Sequence, residues 1–189
     1  MIIKHYKQFL LTYQKLSKKR KILLGSLLLL ILILIFPGIL SISRQLKGEN
    51  KAILKLLTPQ PSVYVGTTFP LDIKLSTPHK TINAVEFTMT FNPQILEILT
   101  MSTAQSFCSF YADNSFDNIK GEVTIACGVP NPGFSGESVL VHLSMRSKTS
   151  GSPQIALIPE KTRVLANDGK GTNLIETTPT LVIPVKSTY

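Results

Sequence analysis

The chain has no tryptophan, two cysteines and three histidines in 189 residues, and no acidic residue before Glu49. Each shortage excludes something. Two cysteines with no histidine close by cannot complete a zinc site. The histidines, His5, His79 and His142, are scattered and share no motif with a nucleophile. Ser135 lies in a Pro-Gly loop without the G-x-S-x-G spacing or a following helix, so it is not a nucleophile elbow. Asn167-Asp-Gly-Lys-Gly-Thr-Asn173 lacks the ligand order and distal Glu of a calcium loop and reads as a Gly-rich hairpin turn. The expectation is a chain without catalytic residues, metal or cofactor. There is also no repeat at a period of 20–50 residues, which argues against a solenoid.

The net charge of +9 would suggest nucleic acid were it evenly spread. It is not. Seven of the 20 basic residues precede Ile22, which leaves 13 against all 11 acids in the remainder. That remainder lacks the dense basic patch that phosphate binding requires, and nucleic acid is set aside as a partner.

Residues 22–43 carry no charge and are built around Leu27–Phe36, LLLLILILIF. At about 1.5 Å per residue the stretch spans roughly 33 Å, comparable with a hydrocarbon core of about 30 Å. The expectation is a transmembrane signal-anchor helix in contact with the lipid bilayer. The basic segment 1–21 would then be cytoplasmic and the C-terminal domain extracellular, in a single-pass protein of the cell membrane. A signal peptide cleaved after Ser43 competes, because Ser41-Ile-Ser43 is a small-x-small triplet; the length of the apolar run favours retention. Ile2, Tyr6, Phe9, Tyr13 and Leu16 recur on one helical face. That face reads either as a helix lying on anionic lipid or as an extension of the anchor, and the second is preferred.

Cys108 and Cys127 both fall in the exported part, where an even pair reads first as a disulfide. Residues 44–50 form a polar linker, 51–185 the domain and 186–189 a tail. In the domain, β-branched and aromatic runs alternate with Pro, Gly, Asn and Asp clusters. Candidate strands are Ala52–Leu57, Ser62–Val65, Thr68–Leu75, Ile82–Phe91, Ile95–Ser102, Gly121–Cys127, Val139–Ser147, Gln154–Ile158, Arg163–Ala166 and Thr180–Val185. Nine or ten short strands predict an all-β two-sheet sandwich. Alternation places Val85, Phe87, Met89 and Phe91 inward with Ala84, Glu86, Thr88 and Thr90 outward. In the same way Val141, Leu143 and Met145 point inward, with Leu140, His142, Ser144 and Arg146 outward. Were these two strands adjacent, Glu86 and His142 would share a face; without a nucleophile or oxyanion site that pair reads as solvated or interfacial.

Val85-Glu-Phe-Thr-Met-Thr-Phe-Asn-Pro-Gln-Ile-Leu-Glu-Ile98 resembles the signature strand of the cohesin family, an alternating strand ending in an Asp/Asn-Pro turn and a Leu-Glu pair. Other pieces follow in the family's order: Val63-Tyr-Val-Gly66, Phe69-Pro-Leu-Asp-Ile73, Gly121-Glu-Val-Thr-Ile125, the strand from Gly136 to Met145, and Gly151 to Leu157. The match runs from about Ala52 to Ile183. The resemblance implies a nine-stranded jelly-roll β-sandwich, related to carbohydrate-binding modules. It also implies a receptor for calcium-loaded dockerin domains that assembles polysaccharide-degrading enzymes. In the type I group dockerin contacts come from the exposed face of the signature strand, with an acidic residue that matches Glu86. A neighbouring polar contact position of the family is occupied here by Ala84, a departure. The chain carries no dockerin, catalytic domain or second cohesin copy.

The leading expectation is therefore a membrane-anchored, non-catalytic binding module whose protein partner docks on Glu86, Thr88, Thr90, Leu140 and His142. A carbohydrate-binding domain that uses loop aromatics is the rival. Phe107, Phe110, Tyr111, Phe116 and Phe134 cluster near expected loops, and Tyr111 and Phe134 are the candidate platforms for a polysaccharide. A structural ectodomain of a larger envelope assembly is a third reading.

Overall fold

The structure, a computed structural model, describes residues 51–187 and, nearer the N-terminus, residues 17–19, Ile22, Leu23, Ser26, Leu27 and residues 29–31. Two compact units divide the chain, Met1–Gly48 and Glu49–Tyr189. In the first unit, the described residues from Ile22 to Ile31 are helical and exposed. Among the described residues no helix is long and apolar enough to cross a membrane. The helical face from Ile2 to Leu16, most of segment 22–43, linker 44–50 and the last two residues lie outside the described residues.

The described residues of the second unit form eleven strands: β1 (Ile53–Leu57), β2 (Val63–Tyr64), β3 (Thr68–Thr90), β4 (Leu96–Ser102), β5 (Phe110–Asp117), β6 (Glu122–Gly128), β7 (Phe134–Ser147), β8 (Gln154–Leu157), β9 (Arg163–Ala166), β10 (Thr180–Val182) and β11 (Val185–Lys186). β3 organises the fold. Two strands were expected here, Thr68–Leu75 and Ile82–Phe91, but they are one continuous strand of 23 residues. Its first half pairs with β1 and β7, and β7 in turn with β4. Its second half pairs with β6, β9 and β8; β6 carries β5 and β8 carries β10. The register with β7 slips between Thr77 and Ile82, around Pro78, which can donate no ladder hydrogen bond. One strand thus belongs to both layers of an all-β sandwich. The expected run Thr180–Val185 is split at Pro184 into β10 and β11, and β11 runs parallel to β2.

One core fills the space between the layers. Phe69, Leu71, Ile73, Leu75, Val141, Leu143 and Met145 come from the first layer; Val85, Phe87, Met89, Val123, Ile125, Leu157 and Val164 come from the second. All are at most 2% exposed. The period-2 alternation seen in the sequence is what places them there.

Two departures from strict alternation matter for function. Between Ile73 and Lys74 the register with β7 shifts, from Ile73 opposite Val141 to Lys74 opposite Val139, so Leu140 is the extra residue of a β-bulge. Leu140 and Val141 are both buried, and the outward position expected for Leu140 is wrong. Thr88 keeps its outward parity but is only 5% exposed. β8 leads into a 3-10 turn, Pro159–Lys161, that contacts β3, and the Ile158 N–H donates to the Thr88 carbonyl oxygen at 2.9 Å. Both residues are removed from the expected contact surface.

β5 was not expected; its residues were assigned to loops. It closes a hairpin with β6 through the turn at Asp117–Gly121. Asp117 Oδ1 accepts the N–H groups of Ile119 and Lys120 at 2.7 and 3.1 Å. Gly121 takes φ of +73°, and a Cβ there would overlap the Phe91 carbonyl, so the position requires glycine. From the same turn Asn118 reaches β4. Its Oδ1 accepts the Ile98 N–H and its Nδ2 donates to the Ile98 carbonyl, both at 2.8 Å, which ties the second layer to the first.

Candidate docking face

The two outer faces of the sandwich differ in how their charges are used. On the first layer Lys74 Nζ lies 2.6 Å from Glu137, Arg146 pairs with Glu97, and His142 Nδ1 donates to Asp72 Oδ1 at 2.7 Å. The Lys74 ammonium, bonded to the Glu137 carboxylate and close to it in charge, holds that carboxyl below its ordinary pKa; the Ser76 hydroxyl adds to the effect. The other imidazole nitrogen of His142, Nε2, meets the Gln105 side-chain amide at 3.1 Å. His142 thus clasps the β4–β5 loop to the first layer. Both imidazole nitrogens are thereby engaged within the domain, one by Asp72 and the other by Gln105.

The second layer presents the outward residues of β3, β6, β5 and β9. Rows run across it by register: Ala84, Gly128 and Phe110; then Arg163, Glu86, Ala126 and Asp113; then Thr88, Thr124 and Ser115; then Thr90, Glu122 and Asp117. A register shift between Tyr111 and Asp113 makes Ala112 a bulge and turns Asp113 to the outer side. Among the described residues Glu86, Asp113 and Glu122 are in no salt bridge, although Arg163 stands opposite Glu86 across the β3–β9 pair. Asp117 is held below its ordinary pKa by the backbone N–H groups of Lys120 and Ile119, with the Lys120 ammonium contributing. The face is therefore acidic, and it also carries Phe110, 57% exposed.

The expected partner-binding residues do not form one site. Glu86 is exposed on the second layer and His142 lies on the first, because His142 pairs with Asp72 in the first half of β3 while Glu86, in the second half, pairs with Ala126 of β6. Thr90 is half-buried, and its hydroxyl donates to the Ala156 carbonyl at 3.4 Å. Thr88 and Leu140 are buried. Of the five, Glu86 alone is exposed on the acidic face.

The expected sugar platforms are also displaced. Phe134 is not an exposed loop residue. It starts β7, is half-buried, and stacks on Phe107 with ring centroids 4.1 Å apart and planes at 9°. Tyr111 points inward beside Cys127, and its hydroxyl is buried without a hydrogen-bond partner. The exposed aromatics of β5 are Phe110 and Phe116. Sequence reading missed Phe110, Asp113 and Ala126 as neighbours of Glu86. One signal was available: a hairpin turn entering β6 demands an antiparallel strand before it.

Cys108 and Cys127 are joined in a disulfide with Cα atoms 5.9 Å apart. It fastens the β4–β5 loop to β6, and the Ser109 N–H donates to the Gly128 carbonyl at 2.9 Å immediately beside it. The Gly-rich segment Asn167–Asn173 is the expected turn, with Leu165 bridged antiparallel to Asn173. Its Asp168 carboxylate receives the Thr172 hydroxyl and the Lys170 N–H, which lower its pKa.

No protein-family model matches the sequence and no curated protein is significantly similar to it. Solved structures are. A cohesin module of a family 33 glycoside hydrolase from Clostridium perfringens aligns with a TM-score of 0.56 at 15% identity, over 73% of this chain and 97% of that one. A type I cohesin–dockerin complex from Clostridium thermocellum contains a chain that aligns with 0.56 at 14%, over 70% and 94%. A non-cellulosomal cohesin from the archaeon Archaeoglobus fulgidus gives 0.55 at 14%, over 71% and 91%. At these identities the likeness is one of fold: the domain is a cohesin-like β-sandwich.

Proposed function

We propose that this cohesin-like domain is a non-catalytic protein-binding module, carried outside the cell on a retained N-terminal anchor, that captures a dockerin-type partner on its second layer. The observation that carries the reading is the contrast between the faces. On the first, Lys74, Arg146 and Asp72 are paired within the domain, and Lys55, beside Lys74, stands outside those pairs. On the second, Glu86 and Asp113 lie one row from the exposed Phe110, and neither they nor Glu122 farther along the face is in a salt bridge among the described residues. Desolvated, complementary charge around an aromatic anchor is how specific protein interfaces are built. Solved cohesin–dockerin complexes of the same fold support the partner class. Assembly of polysaccharide-degrading enzymes is the process such a module would serve.

The test is titration of the domain with a panel of calcium-loaded dockerins and, in parallel, with a glycan panel. Glu86→Ala should weaken a dockerin by about thirtyfold, the cost of truncating a central charged contact, while His142→Ala leaves it unchanged. Sensitivity at His142 with indifference at Glu86 would move the site to the other layer. Binding of glycans alone would replace the protein partner with a sugar.

A further inference from the structure

The Gly-rich turn Asn167–Asn173 takes no part in the docking face, and it stands beside the irregular middle of β3. There the register with β7 passes from Thr77 opposite Gly136 to Ile82 opposite Phe134, so residues 78–81 face Ser135 alone. The unmatched length is pushed outward, and Pro78, His79, Lys80 and Thr81 are exposed. The Asn167 N–H donates to the Thr81 carbonyl at 2.8 Å, which sets the turn next to them. His79, Lys80 and Thr81 from β3 and Asn167, Asp168 and Thr172 from the turn line an open cleft of about 340 Å³. Ala166 and Leu174 supply its apolar part.

The polar groups of the turn are fixed in place. Asn167 Nδ2 donates to Asn131 Oδ1 at 3.0 Å and to the Pro132 carbonyl at 2.9 Å, so Oδ1 is the half of the amide left for a ligand. Asp168 accepts the Lys170 N–H on Oδ1 and the Thr172 hydroxyl on Oδ2, and each oxygen keeps a further lone pair. Behind the cleft the β6–β7 loop packs closely: a Cβ on Gly133 would overlap the Ile82 carbonyl and the Thr81 methyl. Among the described residues neither Lys80 nor Asp168 is in a salt bridge, although both line the cleft.

We propose that this cleft binds an uncharged hexose unit of a saccharide chain, its hydroxyls bonded to Lys80, His79, Asn167 and Asp168 and its C–H face laid on Leu174 and Ala166. The charges of the lining select the ligand. An anion would meet the Asp168 carboxylate and a cation the Lys80 ammonium, so a simple ion of either sign is opposed. A hydroxyl donates and accepts at once. A neutral polyol therefore satisfies both groups, and its bonds to them are charge-assisted, the stronger kind. The volume falls in the range of small-ligand pockets, about 300–1,000 Å³, and an open cleft admits a unit within a chain as well as a free end. No lining residue belongs to the rows from Ala84 to Thr90, so a sugar held here leaves Glu86 free for a protein. The inference is independent of the docking reading.

The experiment uses the ¹⁵N-labelled unit Glu49–Tyr189, which is compact and has its own core. It is titrated with the β-1,4-linked hexamers of glucose, mannose, galactose and N-acetylglucosamine. Inorganic phosphate and the zwitterion glycylglycine are the charged probes. At least one hexamer should shift the amides of His79, Lys80, Asn167, Asp168 and Thr172 as a single saturable site, with those of Glu86 and Ala126 unmoved. Lys80→Ala and Asp168→Asn should each weaken that hexamer about tenfold or more, the cost of losing a hydrogen bond to a charged group. Lys80→Ala should melt as the wild type does, and Glu86→Ala should bind the sugar unchanged. Sugar shifts elsewhere, or shifts at the cleft indifferent to both substitutions, would overturn the assignment. So would phosphate or glycylglycine binding there more tightly than any hexamer, or a wild type that binds no hexamer. The dockerin titration reads Glu86 and stands or falls separately.

Discussion

Glu86 and His142 stand on opposite outer faces of the sandwich, although both occupy outward positions of alternating strands. Glu86 is paired with Ala126 and Arg163, while His142 is paired with Asp72 and Ser102. A strand of 23 residues that serves both layers separates them. An acidic face is thereby divided from a face on which Lys74, Arg146 and Asp72 are paired within the domain.

Outward parity does not make a position replaceable. Leu140→Ala should cost about 2–5 kcal/mol, because the bulge turns this side chain into the core. Thr88→Arg should cost about 1–3 kcal/mol, since Thr88 is 5% exposed and the larger side chain must displace what packs on it. Glu86→Ala should leave the melting temperature within a degree or so of wild type. Chemical denaturation of the three variants checks this; equal stability of all three would refute the burial assignments.

Asn118 joins the layers with two hydrogen bonds to one β4 residue. Asn118→Ala leaves the N–H and carbonyl of Ile98, itself 2% exposed, without these partners. A loss of about 1–3 kcal/mol is expected in urea unfolding, with an unchanged m-value. Faster amide exchange at Ile98 should accompany it.

The disulfide closes a ring across a sequence separation of 19. By loop entropy it contributes about 3 kcal/mol. A non-reducing peptide map should show Cys108 linked to Cys127, and reduction should lower the melting temperature. Labelling of both thiols in natively purified protein would refute the pairing.

Asp117 provides a pH test. Its folded pKa is lowered by the turn's N–H groups, so its contribution is fully present above the ordinary carboxylate range and is lost as pH falls through the folded value. Below about pH 4 the Asp117–Gly121 turn should therefore loosen. Asp117→Asn should remove that part of the acid dependence. NMR titration of the Ile119 and Lys120 amides reads it directly.

The anchor is tested in cells. Protease added to intact cells should remove the β domain and leave a small membrane-bound fragment containing 22–43. Recovery from the medium of a mature protein that begins at Arg44 would refute retention.

The sequence by itself determined the class of fold and its core. Val85, Phe87, Met89 and Phe91, or Val141, Leu143 and Met145, are buried because period-2 alternation is a local property that any half-buried strand obeys. The disulfide was legible because Cys108 and Cys127, the two cysteines of the sequence, have only each other to pair with. β5 was hidden, since Phe110-Tyr-Ala-Asp-Asn-Ser-Phe-Asp117 has no β-branched residue and forms a strand only because β6 lies beside it. The candidate site was legible at Glu86 alone. Which strands neighbour one another, where a bulge turns Leu140 inward, and what covers Thr88 all depend on residues far apart in the chain. Those questions are decided by which packing buries the most apolar surface while pairing the backbone, a sum over the whole domain that no local pattern contains.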